Sequence, residues 1–397
     1  MDTLIPQTEE QSESDLAKCN FLARMSHEMR TPLNAIIGMS TIAQVSNDPE
    51  KIAGCLTKIN EASVHLLKMI NDILDMAKIE AGSMRLINAE FNLPQMLQKI
   101  SDMTKFMLDA KKQSLTLDFD PVLPETIVAD QQRLIQVLDN LLSNAIKFTP
   151  PEGSITLSVK KLKEDDKNCV LKIEISDTGI GIPEEQLKNV FALFDQLDGG
   201  LARKYGGAGL GLPLSSSIVH LMGGNLRVQS EQGKGSVFGF EITVELGEKK
   251  AEPALSAPEN TAGQEQKPKY EGLSILIAED VEINREIVLS LLEDTGAAID
   301  CAENGLQAFE MYKANPTKYS AVLMDIHMPE MDGYEASRQI RAFEAGENIR
   351  KIPIIAMTAN IFKEDVEKSL QAGMSSHMGK PLDFEELMRQ LDNFIEL

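Results

Sequence analysis

The sequence predicts a multidomain fold in three parts: an all-α helical hairpin forming a dimeric four-helix bundle, an α/β sandwich, and a doubly wound parallel α/β domain. Apolar residues alternate at steps of three and four up to about residue 81, and the periodicity changes near residue 90. After residue 272, strands and helices alternate strictly. We place a polar tail at 1–18, the hairpin at 19–85, the sandwich at 90–247, a flexible linker at 248–272 and the last domain at 273–397.

The composition excludes several classes of protein. The 397 residues are 43% hydrophobic, enough for real cores, and carry a formal net charge of −22. That charge argues against nucleic acid or an anionic membrane as a direct partner. No apolar run approaches about 18 residues, and the amino terminus lacks a signal-peptide pattern. We therefore expect no membrane span in this chain. The four cysteines have no metal or redox spacing, so we expect reduced thiols and a cytoplasmic location. We expect no sensor domain within residues 1–18, and the sequence does not identify the upstream sensor.

The first helix, expected to end near Val45, presents one histidine to solvent. Its apolar seam is Leu22, Met25, Met29, Ile36, Met39 and Ala43. His27 falls roughly opposite that seam, with Glu28 beside it and Thr31 one turn further on. An outward imidazole beside a carboxylate is a candidate nucleophile; the alternative is an ordinary surface histidine. Pro32 is expected to bend the helix.

The second helix, expected from about Glu50 to Ala81, repeats the narrow apolar seam. Its members are Ile52, Leu56, Ile59, Leu66, Ile70, Ile73 and Ala77. Two such helices cannot bury both seams as a lone hairpin. Pairing with a second copy as a four-helix bundle would bury them, so the pattern predicts a homodimer.

The middle part carries two polar patterns suited to a nucleotide. Asn140, Asn144 and Lys147 lie on a predicted helix over 130–148. Amide oxygens suit Mg²⁺ and a lysine suits phosphate, although asparagines on a helix are commonly mere surface. Asp177 opens a glycine turn after a strand and can accept a hydrogen bond from an exocyclic amine such as that of adenine; a simple β-turn is the alternative.

A second glycine segment, 206–212, runs into a predicted helix. Backbone N–H groups at a helix start can bind phosphate, and Arg203 and Lys204 add positive charge just before it. The segment is neither a Walker loop nor a dinucleotide fingerprint, because its glycine spacing and following residues differ. The stretch 194–206 is expected to be a mobile lid.

In the last domain, polar side chains follow the predicted strands. Glu279 and Asp280 end the first strand, Asp325 the third and Thr358 the fourth, and Lys380 follows the fifth. The carboxyl ends of parallel strands share one edge of a sheet, so these groups should converge. Clustered carboxylates repel one another without a cation, which implies Mg²⁺.

The segment Ser26-His-Glu-Met-Arg-Thr-Pro-Leu33 resembles the phosphoacceptor motif of dimeric sensor histidine kinases. The whole chain, apart from residues 1–18 and the linker, resembles a hybrid histidine kinase, with dimerisation helices, an ATP-binding domain and a response-regulator receiver. In order and spacing, the middle motifs resemble the N, G1, F and G2 boxes of that family.

For the nucleotide site, the resemblance implies bound ATP and Mg²⁺. Asn144 would ligate the metal with Asn140 beside it, and Lys147 and the lid's Arg203 would contact phosphate. Phe148 would line the pocket and Asp177 would bind adenine. The glycines that would shape the pocket are Gly179, Gly181, Gly207, Gly209 and Gly211. Ala208 and Pro213 depart from the common pattern, with at most an effect on the lid.

For the last domain, the resemblance implies that Asp325 accepts a phosphoryl group. Glu279, Asp280 and Asp325 would hold Mg²⁺. Thr358 and Lys380 would bind phosphoryl oxygens, and Lys380–Pro381 would be a cis bond. His377 stands where receivers usually carry a switch aromatic, which puts rotamer coupling to Thr358 in doubt.

The implied activity is ATP-dependent autophosphorylation on His27, followed by phosphotransfer to Asp325 in a two-component phosphorelay. Glu28 would take a proton from the imidazole, and in the reverse direction Thr31 would position water. The expected partners are a second copy and a separate histidine phosphotransfer protein or response regulator. The alternatives are a net phosphatase of a receiver, a dimeric scaffold without kinase activity, which predicts a broken nucleotide box, and an ATPase, which needs neither His27 nor Asp325.

Overall fold

The computed structural model describes residues 6–191, 209–247, 270–358, 363–380 and 382–395, without the side chains of residues 6–22, 24 and 363–365. The chain divides into two compact units, Met1–Pro253 and Ala254–Leu397, which we treat separately. Within the described residues, no helix is long and apolar enough to cross a membrane.

The first unit begins with a helical hairpin, α1 (Pro6–Val45) and α2 (Pro49–Glu80). Asp48 caps α2, its side chain accepting a hydrogen bond from the Glu50 N–H at 3.1 Å. Helix α1 continues through Pro32 as one helix. Seam residue Met25 is buried, whereas Leu56 and Ile70 of the other predicted seam stay 57% and 39% exposed in the single chain.

The rest of the first unit is an α/β sandwich with one mixed seven-stranded sheet, ordered β1-β3-β7-β5-β4-β2, with β6 also paired to β7. Strands β2 and β4 are parallel, and the other pairs are antiparallel. Its elements are β1 (Ala89–Asn92), α3 (Leu93–Lys111), β2 (Ser114–Phe119), β3 (Thr126–Ala129), α4 (Gln131–Phe148), β4 (Ser154–Glu164), β5 (Asn168–Asp177), α5 (Glu184–Leu187), α6 (Gly211–Leu221), β6 (Arg227–Glu231) and β7 (Gly235–Leu246).

One apolar core joins the helices to this sheet. Helix α4 contributes leucines at helical spacing, and β5 and the first half of β4 alternate buried with half-buried residues. Strand β4 extends to Glu164 and β5 begins at Asn168, so the hairpin loop between them is confined to residues 165–167. Strand β1 is short and was not expected from the sequence.

The second unit is a five-stranded parallel sheet ordered β12-β11-β10-β8-β9. All five residues of β10 are buried because apolar clusters cover both faces of the sheet. The predicted helical, α/β and parallel-sheet parts are therefore confirmed. Its elements are β8 (Ser274–Ala278), α7 (Glu282–Leu292), a 3₁₀ turn (Glu293–Thr295), β9 (Ala298–Ala302), α8 (Gly305–Ala314), β10 (Ala321–Asp325), α9 (Gly333–Glu347), β11 (Ile354–Thr358), α10 (Lys363–Gln371), β12 (Ser376–Gly379) and α11 (Phe384–Phe394).

Candidate functional site

On the hairpin, helix α1 presents His27 to solvent. The His27 side chain is exposed, Glu28 beside it is half-buried, and Met25 two residues earlier is only 5% exposed. The Thr31 hydroxyl donates to the His27 backbone carbonyl oxygen at 3.3 Å. That bond is a local contact of a threonine with the preceding turn of its own helix.

Helix α4 places the two predicted asparagines in different surroundings. Asn140 is 4% exposed, and its Nδ2 donates to Ser215 Oγ at 3.4 Å on helix α6. Asn144, one turn later, is half-buried. Asn140 thus fastens α6 to α4, and Asn144 is the more accessible of the two amides.

The carboxyl end of α4 carries Lys147 and Phe148. The Lys147 Nζ lies 5.1 Å from the centroid of the Phe148 ring. Burial lowers the pKa of Lys147, and the negative charge of Glu28 opposes that shift. Lys147 of the sandwich therefore lies within electrostatic range of the residue next to His27.

The glycine turn that follows β5 packs against the end of α4. Asp177 is 8% exposed, and its Oδ1 accepts from the Gly179 N–H at 2.8 Å. Burial raises the pKa of Asp177, and the N–H groups of Gly179 and Ser236 oppose the rise. A Cβ on Gly179 would lie 2.7 Å from the Phe148 carbonyl oxygen, so only glycine fits there.

The second glycine segment is described from Gly209, which has a φ of +68°. Gly211 begins α6, and a Cβ on it would lie 3.4 Å from Asn140 Oδ1. Pro213 lies in the first turn of α6, where proline is tolerated. Arg203, Gly207 and the expected lid lie outside the described residues.

In the second unit, the predicted acidic side chains converge at the carboxyl edge of the sheet. Glu279 is fully buried, Asp325 is 6% exposed and Asp280 is half-buried. Their carboxylate oxygens lie within 4.8 Å of one another, because β8 and β10 are neighbouring strands. Lys380 Nζ lies 2.5 Å from Glu279 Oε2 and 2.7 Å from Asp325 Oδ2. The backbone N–H of Lys380 donates to the Thr358 carbonyl oxygen at 2.7 Å, and Thr358 is buried.

The electrostatics of this cluster favour an additional cation. Burial raises the pKa of Asp325, with Lys380 lowering it and Glu279 raising it. Burial by itself lowers the pKa of Lys380, but its contacts with Asp325 and Glu279 raise it overall. Three carboxylates face one ammonium, and oxygen donors of this kind fit Mg²⁺.

Two side chains at this edge were missed from the sequence. Asn284 Nδ2 donates to Glu279 Oε1 at 2.8 Å, and Arg285 Nη1 donates to the backbone carbonyls of Glu279 and Asp280 at 2.8 and 3.2 Å. Both residues lie in the first turn of α7, just after Glu279 and Asp280, and this closeness in sequence was the signal that could have identified them. His377 is half-buried on β12, and burial lowers its pKa. Pro381, and with it the predicted cis bond, lies outside the described residues.

Three family models match the chain in order. Residues 17–82 match the His Kinase A (phospho-acceptor) domain, residues 129–247 the histidine kinase-, DNA gyrase B- and HSP90-like ATPase, and residues 275–392 the response regulator receiver domain.

Full-length relatives carry the same parts. The aerobic respiration control sensor protein ArcB of Escherichia coli K12 is 34% identical over 95% of this chain and 46% of its own length. The autoinducer 2 sensor kinase/phosphatase LuxQ of Vibrio vulnificus CMCP6 is 36% identical over 97% of this chain and 44% of its own. The chain thus spans just under half the length of these relatives.

Among solved structures, full-length ShkA in complex with AMPPNP matches 94% of this chain and 98% of its own, at 24% identity and a TM-score of 0.44. The receiver domain of the Pseudomonas aeruginosa PAO1 sensor histidine kinase PA1611 matches 31% of this chain and 97% of its own, at 38% identity and a TM-score of 0.28.

The three domains and their order define a class of signalling enzyme in which kinase and receiver share one polypeptide. This chain carries, in one polypeptide, the phosphoacceptor, histidine kinase-type ATPase and receiver domains, and its sensor-kinase relatives align with it over nearly its whole length.

Proposed function

We propose that this chain phosphorylates itself on His27 from ATP and then passes the phosphoryl group to Asp325. The single observation that carries the proposal is the exposed imidazole of His27 on α1, next to Glu28, whose charge interacts with that of Lys147 on α4. In the first step, a ring nitrogen of neutral His27 forms a bond to the γ-phosphorus while the bond from that phosphorus to the ADP oxygen breaks. Glu28 takes the proton from the other ring nitrogen.

The residues of the sandwich bind and orient the nucleotide. Asn144 would offer its amide oxygen to the metal that accompanies ATP, and Lys147 and Arg203 would offer positive charge to the phosphates. Asp177 accepts a hydrogen bond from adenine, and the rigid loop formed by its Gly179 bond supports that role. Asn140 holds the nucleotide helix against α6.

In the second step, an Asp325 carboxylate oxygen bonds to phosphorus and the bond from phosphorus to the His27 nitrogen breaks, giving an acyl phosphate. Glu279, Asp280 and Asp325 would hold Mg²⁺, which neutralises charge on the transferring group when bound. Lys380 and Thr358 lie at neighbouring strand ends and would bind phosphoryl oxygens.

Two partners follow from exposed apolar surfaces. The hairpin leaves the α2 side chains Leu56, Leu67, Ile70 and Leu74 39–57% exposed, which supports a homodimer through a four-helix bundle.

Beside the Asp325 edge, Val281, Ile283 and Ile287 are 44–59% exposed. This patch supports docking of a histidine phosphotransfer protein or a separate response regulator.

Incubation with γ-labelled ATP and Mg²⁺ tests the proposal. The Asp325→Asn variant should hold label that is acid-labile and alkali-resistant, and the additional change His27→Gln should abolish it. His65→Gln, which removes an exposed histidine of α2, is the matched control and should keep the label. Label that persists without His27 would refute the assignment.

A further inference from the structure

The hairpin and the sandwich share a buried ion pair that the reaction above does not use. Asp75 on α2 is 8% exposed, and it is the one charged side chain buried on that helix among its described residues. Arg133 on α4 donates to both of its oxygens, Nη1 to Oδ2 at 2.5 Å and Nη2 to Oδ1 at 3.0 Å. A bidentate pair of this kind fixes orientation as well as distance.

Gln136 closes the network around this pair. Its Nε2 donates to Asp75 Oδ2 at 3.1 Å, and its Oε1 accepts from Arg133 Nη1 at 2.7 Å. Removal of either charged partner would leave a buried charge without compensation, whereas the intact network satisfies both.

A second contact gives the direction of the two helices. Lys68, seven residues before Asp75, pairs with Asp139, six residues after Arg133, at 2.6 Å. Residue numbers fall along α2 as they rise along α4, so the helices run antiparallel. The Lys68–Asp139 pair is 45% and 38% exposed, so it contributes little by itself.

The carboxyl end of α4 carries Lys147, one of the residues predicted to contact phosphate. Lys147 lies within electrostatic range of Glu28, the neighbour of His27. The buried pair at the start of α4 and the phosphate end of α4 are therefore parts of one rigid element laid along the hairpin. Arg133 precedes Asn144 by 11 residues, about 16 Å of helix, so it does not touch the nucleotide.

We propose that Arg133 and Asp75 are positioning residues for autophosphorylation. Their ion pair fixes the register of α4 against α2 and so delivers the phosphate end of the nucleotide helix to His27. The inference rests on the proposed kinase function. The ion pair governs the rate of phosphoryl transfer to His27 and leaves the affinity for nucleotide unchanged, so the two quantities can be measured separately.

The test measures both quantities in the full chain carrying Asp325→Asn, so that label accumulates on histidine. Adding Asp75→Asn or Arg133→Gln should slow labelling at saturating ATP at least about tenfold. The dissociation constant for a non-hydrolysable ATP analogue should stay within about twofold. The charge exchange Asp75→Arg with Arg133→Asp should restore part of the rate. Asp139→Asn, which breaks the exposed pair, is the matched control and should change the rate at most about threefold.

Each other result contradicts the inference. Unchanged or faster labelling in Asp75→Asn would mean that the pair is neutral or inhibitory. A parallel loss of nucleotide affinity, or no recovery on charge exchange, would mean general damage to the unit. No label in the Asp325→Asn parent itself would instead refute the proposed function.

Discussion

At the residue scale, the receiver domain and the hairpin each hold carboxylates away from water. Glu279 is fully buried, and its carboxylate contacts Lys380 and Asn284. On the hairpin, Asp72 is half-buried between its neighbours Lys68 and Asp75 and the facing Asp139. Such groups tie the protonation and metal state of the site to the stability of the fold.

Replacement of Lys380 should leave the repulsion between the buried carboxylates of the receiver domain uncompensated. Lys380→Met leaves Glu279 and Asp325 buried without their cation, which should lower the free energy of unfolding by about 3–5 kcal/mol. Because Mg²⁺ can replace the missing charge, excess Mg²⁺ should stabilise this variant more than the parent. Urea unfolding of the full chain with and without Mg²⁺ measures both. Equal stabilisation of the two proteins would speak against a metal site at these carboxylates.

Asp72 should give the first unit a pH dependence. Burial raises its pKa from 3.8 to about 6, with Lys68 opposing the shift and Asp75 and Asp139 adding to it. A raised pKa in the folded state means that its contribution to stability is complete below pH 3.8 and is lost as pH rises through about 6. Asp72→Asn should therefore stabilise the protein at pH 8, and this gain should shrink towards pH 4. A gain equal at both pH values in urea unfolding would contradict the assignment.

At the element scale, the helices present apolar stripes that a single chain leaves uncovered. Leu67, Ile70 and Leu74 follow one another at steps of three and four on α2 and stay 39–50% exposed. Such a stripe on a long two-helix hairpin is typical of a bundle interface.

Charges on that stripe should separate the dimer. The double change Leu67→Glu and Ile70→Glu places four carboxylates in the bundle core and should give monomers in sedimentation velocity. Leu162→Glu alters an equally exposed leucine of β4 outside the stripe and should stay dimeric. A dimeric double variant would place the interface elsewhere.

Much of the architecture was predictable from periodicity and strand-end chemistry. The α1 seam predicted the burial of Met25, and the parallel sheet predicted that Glu279, Asp325 and Lys380 would meet. The ion pair of Asp75 and Arg133 was not predictable, because both residues occupy polar positions of amphipathic helices, and only tertiary packing buries them. The burial of Asn140 against α6 was missed for the same reason.

At the scale of the whole molecule, the contacts of α4 with its own hairpin favour transfer within one chain. Lys147 lies within electrostatic range of Glu28 of the same polypeptide, and Arg133 pairs with Asp75 of the same polypeptide. We therefore expect the nucleotide of one chain to serve the His27 of that chain, a prediction that needs a direct test.

Mixed dimers test this direction. Chains carrying His27→Gln are allowed to exchange with chains carrying Asn144→Ala, both in the Asp325→Asn background. Transfer within one chain predicts no label in the mixture, since the intact histidine and the intact nucleotide site lie on different chains. Label on the Asn144→Ala chain would show transfer between chains. Exchange itself is checked by co-purification of differently tagged copies.

The relay from His27 to Asp325 is tested most directly by a rapid-quench time course of the unaltered chain with γ-labelled ATP. We expect acid-labile, alkali-resistant label to appear first within residues 17–82. This label should then decline as alkali-labile label rises within residues 275–392. Label that reaches the receiver domain without passing through the histidine, or that never leaves the histidine, would contradict the relay.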